Sequence, residues 1–246
     1  MIYKFIIIFL ISKFKLILKK IIMERVIKTT SDGSKTLYIN ELNENYHSHH
    51  GALQEAQHVF IDNGLNLINN YEINILELGL GTGLNVLVTI DEFMKTDKNH
   101  MVNYFTIEKY PVSEKEVIEL DYGSIFHKSE MVEINHTIHR CNWNEPIEIL
   151  PNFFFTKYHC DFFELKNLSL PEIDLVFFDC FGARVQPDLW EKPLFEMVAN
   201  KMKTGGLLTT YSSKGSVRRI LKELRFDVEK KAGPPGKREM INAIKQ

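Results

Sequence analysis

An α/β fold is predicted, Rossmann-like, with a seven-stranded, mostly parallel sheet ending in a C-terminal antiparallel hairpin. Three observations predict it. Short apolar runs alternate with segments of helical spacing from residue 74 onward. One of them, Ile173-Asp-Leu-Val-Phe-Phe-Asp179, is apolar almost throughout, as strands covered on both faces are. The last two runs, Phe226 to Lys230 and Glu239 to Ile244, are joined through Gly233-Pro-Pro-Gly236, which leaves room for a turn but no crossover helix.

In chain order, Glu24 to Asn45 reads as a strand-and-turn lead-in, with turn chemistry at Ser31-Asp-Gly-Ser34. Gly51 to Asn63 reads as a helix, since Leu53, Ala56, Val59 and Phe60 share a face and Gly64 stands where a C-cap belongs. The first sheet strand is Asn74 to Leu78. A glycine-rich turn and a helix over Leu84 to Met94 follow it. Next come a strand at Asn103 to Glu108 and a helix at Ser113 to Leu120. Residues 121–150, with Trp143 and Pro146, read as a helix plus an irregular insertion. Strands at Phe153 to His159 and Ile173 to Asp179 precede a helix at Trp190 to Lys203, which Gly205-Gly206 should stop. A strand at Leu207 to Ser212, a helix at Ser216 to Leu224 and the hairpin complete the chain.

Length and composition bound the answer. The 246 residues, 44% hydrophobic and 25% charged, suit one globular α/β domain and exclude a disordered chain. Cys141, Cys160 and Cys180 form no C-x-x-C pair. Their odd number suits structural thiols in a reducing compartment, so a cytoplasmic setting is expected. The net charge is −2, but residues 1–22 hold five lysines (Lys4, Lys13, Lys15, Lys19, Lys20) and no acid. The remainder has 25 basic against 32 acidic residues, a net of −7. Any basic face must then be a local patch. Residues 1–22 read as an N-terminal Lys/Ile-rich extension outside a domain that spans 23–246. They lack a small-residue cleavage site, and Lys13 and Lys15 interrupt the apolar run too early for a membrane span. Translated upstream sequence, with Met23 as the start, is the favoured reading. A surface anchor and a signal are the alternatives, and no membrane partner is expected.

Chemistry concentrates after the strands. Glu77-x-Gly79-x-Gly81-x-Gly83 lies between a strand and a helix, where glycines let backbone approach a ligand. A dinucleotide fingerprint would want its third glycine at position 84, which is Leu84. S-adenosyl-L-methionine has no pyrophosphate to seat, and its charged amino-acid end suits an acid and backbone groups. Glu108, ending the second strand, is placed to accept ribose hydroxyls, and Asp161, after the third, to meet an adenine amino group. Asp179 leaves the most apolar strand at the edge where α/β ligands bind. A carboxylate there could hold an acceptor amine and take its proton. Lys214, Arg218, Arg219 and Lys222, with Lys237 and Arg238 beyond the Gly-Pro-Pro-Gly turn, form a candidate phosphate-contacting patch or, more blandly, a solvated helix face. His47, His49 and His50 suit a loop over cofactor or substrate. No fourth ligand accompanies them, so no metal is expected.

Several strings together resemble one family. They are Tyr46-His-Ser-His-His-Gly-Ala52 with Glu55, Glu77 to Asn85, Glu108-Lys-Tyr-Pro111, Phe178-Asp-Cys-Phe-Gly182, Gln186-Pro-Asp-Leu-Trp190, Tyr211-Ser-Ser-Lys-Gly215 and Gly233 to Met240. Over residues 24–245 the chain looks like the methyltransferase domain of the bifunctional tRNA 5-methylaminomethyl-2-thiouridine biosynthesis proteins, in compact form without an FAD-dependent oxidase half. The resemblance implies the S-adenosyl-L-methionine-dependent methyltransferase fold and methylation of the exocyclic amine of 5-aminomethyl-2-thiouridine at the tRNA wobble position. It places Asp179 nearest the acceptor amine, with Gly79, Gly81, Gly83, Glu108 and Asp161 on the cofactor. It also implies a tRNA substrate and a separate enzyme that makes the aminomethyl precursor. Cys180 departs from the Gly or Ala frequent after the family's catalytic Asp. Two other functions compete. A polyamine-type aminopropyltransferase would want a second acid in the glycine loop, where Thr82 and Asn85 stand. A non-catalytic RNA-binding relative would not bind the cofactor.

Overall fold

The computed structural model describes residues 24–95 and 100–246, so the reading of 1–22 falls outside the described residues. An eight-stranded sheet runs through the domain. Its strands are β4 (Glu72–Leu78), β5 (Met101–Glu108), β6 (Ile147–Leu150), β7 (Phe153–His159), β8 (Ile173–Phe178), β9 (Met202–Thr210), β10 (Phe226–Ala232) and β11 (Glu239–Lys245). Their order across the sheet is β10-β11-β9-β8-β4-β5-β7-β6. Strands β7, β5, β4, β8 and β9 are parallel. β11 pairs antiparallel with β9 and with β10, as the hairpin reading required. A separate antiparallel sheet comprises β1 (Arg25–Thr29), β2 (Lys35–Ile39) and β3 (Glu44–Asn45).

The helices are α1 (Ala52–Ala56), α2 (Leu84–Lys95), α3 (Glu114–Leu120), α4 (Ser129–Arg140), α5 (Lys192–Lys201) and α6 (Gly215–Glu223). Strand alternation sends their apolar faces to two cores. Ile75 of β4 and Leu175 and Phe177 of β8 face the core that holds Val86 and Leu87 of α2 and Ile134 and Ile138 of α4. Their neighbours Leu76, Leu78, Val176 and Phe178 face Leu194 and Val198 of α5 and Val217 and Leu221 of α6. All six residues of β8 are buried, which is why that run carries no polar alternation.

The structure corrects several boundaries. The edge strand β6 lies in the region read as irregular, and it makes eight strands of the expected seven. It spans four residues, too few for a period-2 pattern to stand out. The helix expected over Gly51 to Asn63 is α1 continued by a π-helical stretch at Gln57–Asp62. Gly64 is not left-handed. Its φ is −130°, and a Cβ there would fall 2.2 Å from the Phe60 carbonyl oxygen, so close packing explains that glycine. Trp190 ends a 3-10 turn, Pro187–Trp190, and α5 starts only at Lys192, with Pro193 in its first turn. Gly205 and Gly206 do not end a helix. They lie inside β9, where the register jumps from Ile173–Met202 to Leu175–Leu207 and Gly205 takes φ +82°.

The chain order reverses between β4 and β8: β4 leads to β5 on one side and β8 to β9 on the other. Such a reversal opens a crevice at the carboxyl ends of the two strands. There Gly79 and Asp179 meet. A Cβ on Gly79 would lie 3.0 Å from the Asp179 carbonyl oxygen.

Candidate functional site

A cavity of about 1240 Å³ opens at this reversal, and the small β1–β3 sheet roofs it. A single small ligand needs roughly 300–1,000 Å³, so there is room for a cofactor and part of a second substrate. Seven acidic side chains line the cavity against three basic ones, Arg25, Lys109 and Lys237. Each of the three basic groups is already paired with a carboxylate, Glu116, Asp161 and Glu55 respectively. The lining therefore favours cationic ligands and disfavours polyphosphate.

The glycine loop forms the floor. Gly79, Gly81 and Gly83 have φ of +102°, +51° and +78°, a region costly for other residues. Their roles differ. Gly79 and Gly81 line the cavity, and a Cβ on Gly81 would touch the Tyr46 ring at 3.4 Å. Gly83 does not line it. A Cβ there would press on His139 Nε2 at 2.9 Å, and that nitrogen donates to the Thr82 carbonyl at 3.2 Å. Burial, reinforced by the Lys157 charge, holds His139 down to about 4 and so neutral. Buried Lys157 in turn caps the end of α4 through the carbonyls of Ile138 (2.9 Å) and His139 (2.6 Å).

Glu108 ends β5 and gathers the loop amides: Gly81 N–H donates to Oε2 at 3.0 Å and Tyr110 N–H to Oε1 at 2.6 Å. Asp161 accepts from Phe163 N–H at 3.0 Å and pairs with Lys109 at 2.6 Å. Partial burial would raise its pKa, but the Lys109 and Phe163 hydrogen bonds outweigh it and hold the carboxyl low. Both acids line the cavity.

Asp179 is half-buried at the end of β8. Burial, aided by the nearby charge of Glu55 and opposed by an Asn85 hydrogen bond and Lys237, pushes its carboxyl up to about 7. Asn85, the second residue of α2, donates from Nδ2 both to Asp179 Oδ2 (2.8 Å) and to Glu77 Oε1 (2.9 Å). Glu77, expected on the cofactor, lies beneath the cavity, fully buried, and does not line it. Burial pushes its carboxyl up to about 8, with the Asp179 charge adding to the shift and hydrogen bonds opposing it. The segment after Asp179 is braced from two sides: Tyr211 OH donates to the Cys180 carbonyl (2.7 Å) and Trp190 Nε1 to the Phe181 carbonyl (2.7 Å). Cys180 itself is buried against the α5 and α6 core.

The roof is fastened across the cavity. Arg25 donates to Tyr46 OH (3.1 Å) and to the carbonyls of Tyr110 (3.2 Å) and Pro111 (3.1 Å). On the far side Arg184 pairs with Glu44 at 2.7 Å, and Tyr46 meets Phe181 edge-on at 4.8 Å. His47 hydrogen-bonds Thr82 Oγ1 at 2.7 Å, and burial depresses it to about 4 despite the nearby Glu55 and Asp32 charges. Among the described residues no group of three or more His, Cys, Asp or Glu is placed to hold a metal. No helix among them is long and apolar enough to cross a membrane.

Of the basic residues singled out, only Lys237 enters the cavity. Lys214 and Arg238 are exposed, and Arg218 is half-buried with its Nε lacking a partner. Sequence reasoning gave no role to Asn85, Tyr211 or Glu55, although each stands inside a quoted string. Their signal was a polar residue in an otherwise apolar helix start (Asn85) and an acid on a helix flanked by histidines (Glu55).

Residues 158–246 match the family described as S-adenosyl-L-methionine-dependent methyltransferase. The chain is 33% identical over 211 residues to the tRNA 5-methylaminomethyl-2-thiouridine biosynthesis bifunctional protein MnmC of Leptospira interrogans, covering 80% of this chain and 32% of that protein. It is 28% identical over 215 residues to the protein of the same name from Marinomonas, covering 82% and 31%. The chain thus spans about a third of the length of these relatives. A crystal structure of MNMC2 from Aquifex aeolicus shares the fold, with a TM-score of 0.74, 24% identity, and coverage of 95% of this chain and 77% of that one. The chain thus shares the fold of the MNMC2 structure, and its sequence is similar to the methyltransferase family over residues 158–246 and to the MnmC proteins over about four-fifths of its length.

Proposed function

We propose that this domain methylates the exocyclic amine of 5-aminomethyl-2-thiouridine at the wobble position of tRNA, giving 5-methylaminomethyl-2-thiouridine. The observation that carries the proposal is Asp179, a carboxyl held near pH 7 inside a cavity whose lining favours cations. The names of the similar proteins support the choice of acceptor.

The residues present fit S-adenosyl-L-methionine. Gly79 and Gly81 line the cavity with backbone and no side chain, Glu108 and Asp161 offer carboxylate oxygens along its rim, and the lining suits a sulfonium. When bound, the cofactor supplies an electrophilic methyl carbon whose sulfur leaves as a neutral thioether. The chain's own residues do the rest. Ionised Asp179 holds the acceptor ammonium and takes one proton, which frees the nitrogen lone pair to form the N–C bond. Asn85 fixes the carboxylate so that acceptor and methyl are aligned, which in-line displacement requires. Lys214, Arg218 and Arg238 lie outside the cavity, where phosphates would meet them while the base alone enters. A separate enzyme makes the aminomethyl precursor, and the reaction takes place in the cytoplasm.

Glu108→Ala should weaken S-adenosyl-L-methionine binding in calorimetry by about ten- to a hundredfold, the value of a lost hydrogen bond to a charged group. Unchanged affinity would remove Glu108 from the cofactor site. The proposal itself is tested by incubating the protein with methyl-labelled S-adenosyl-L-methionine and tRNA carrying 5-aminomethyl-2-thiouridine. Label in tRNA with S-adenosylhomocysteine as co-product is expected. No label in tRNA, with putrescine converted to spermidine by decarboxylated cofactor, would favour aminopropyl transfer instead.

A further inference from the structure

We propose that Glu55 and the ring face of Tyr211 form a primary-ammonium subsite beside Asp179, which Lys237 fills with its own side chain and vacates for the acceptor. The proposal rests on the reading of the acceptor as an amine and adds a binding subsite to it.

The chain's own ammonium already sits there. Lys237 Nζ is 2.5 Å from Glu55 Oε1 and 3.9 Å from the centroid of the Tyr211 ring. A carboxylate on one side and an aromatic face on the other is the arrangement that recognises an alkylammonium. All three side chains line the same cavity as Asp179, and the charges of Glu55 and Lys237 both act on the Asp179 carboxyl.

The two walls are fixed while the occupant is not. Glu55 is only 8% exposed, and its second oxygen accepts from Ser48 N–H at 2.8 Å. Tyr211 is held by its hydroxyl on the Cys180 carbonyl. Lys237 enters on a flexible stem from the turn between β10 and β11, beside exposed Arg238, and its side chain keeps about a third of its surface in solvent. It can therefore swing out without opening the core. Exchange of one ammonium for another leaves the charge of the site unchanged, so Glu55 is never left as an unpaired buried carboxylate. An aminomethyl group carries the same –CH₂–NH₃⁺ terminus as lysine. A hydroxymethyl or carboxymethyl group in its place would offer Glu55 no cation.

The test uses the full chain with methylammonium chloride as probe at constant ionic strength, and sodium chloride as control. The readout is the chemical shift and line width of ¹³C-labelled methylammonium, observed on the probe itself. Lys237→Met removes the resident ammonium and keeps most of the stem, so methylammonium should bind roughly three- to tenfold more tightly than to the wild type. Glu55→Gln should weaken binding by about tenfold or more. If Glu55→Gln does not fold, Tyr211→Leu should lose the probe and Tyr211→Phe keep it, since only the former removes the ring face. Equal or weaker binding to Lys237→Met would overturn the proposal, as would wild-type binding to Glu55→Gln. The same holds if Lys237→Met merely lowers tRNA affinity and flattens its salt dependence by about one counterion, the signature of a phosphate contact. Methylammonium binding needs neither tRNA nor methyl transfer. Loss of the subsite in a chain that still methylates tRNA therefore counts against this inference alone, and absent transfer with intact binding counts against the assigned reaction alone.

Discussion

Asp179→Asn should lower methyl transfer by roughly 10²–10⁴-fold, the usual contribution of a positioned general base, while S-adenosyl-L-methionine still binds. Asparagine keeps the shape and can still accept from Asn85, but it cannot be a base or bind an ammonium as an anion. The wild-type rate should depend on pH accordingly. The acceptor is held and deprotonated by the ionised carboxylate, so kcat/KM should fall as pH drops through about 7, where Asp179 takes up a proton. Steady-state rates from pH 5 to 9 check both points. A variant within tenfold of wild type, or a wild-type profile flat through pH 7, would remove Asp179 from the role given to it.

Glu77→Gln should change stability in a pH-dependent way by an amount on the order of a few kcal/mol. Folded Glu77 keeps its proton up to about pH 8, whereas the unfolded chain releases it near the ordinary value of 4.5. Between those limits the folded state binds more protons than the unfolded state. Its contribution to stability is thus complete below about 4.5 and lost as pH rises through about 8. Asp179 acts with the same sign between 3.8 and about 7. His47 and His139, depressed from 6.5 to about 4, act oppositely: their contribution is present above 6.5 and lost as pH falls through about 4. The Gln variant carries no titrating group at this position, and its amide can still pair with the buried Tyr104 and Thr106 hydroxyls that surround Glu77. Urea unfolding of both proteins at pH 5, 7 and 9 should show the variant gaining on wild type with each step. A constant difference would mean that Glu77 is already ionised in the fold.

Much of this was legible in the residues, for identifiable reasons. β8 announced itself because both its faces are covered, and the final hairpin because Gly233-Pro-Pro-Gly236 admits no helix. The β4 loop was legible because three left-handed positions demand three glycines. The acids at the ends of β5 and β8 followed from strand order alone. What stayed hidden depends on contacts distant in sequence. Glu77 reads as a cofactor acid by position, yet Asn85 stands between it and the cavity. Lys237 reads as part of a basic patch, yet a carboxylate 182 positions away draws it inward. The edge strand β6 and the bulge at Gly205 are set by pairing partners, which local pattern does not record.

The most direct measurement of where the methyl group goes is fragmentation mass spectrometry of nucleosides from tRNA bearing 5-aminomethyl-2-thiouridine after incubation with this protein and S-adenosyl-L-methionine. The expected result is conversion of that nucleoside to one heavier by a single methyl on the exocyclic nitrogen, and none with Asp179→Asn. Methyl groups on the ribose, the sulfur or another base, or no conversion by a protein that binds the cofactor, would contradict it.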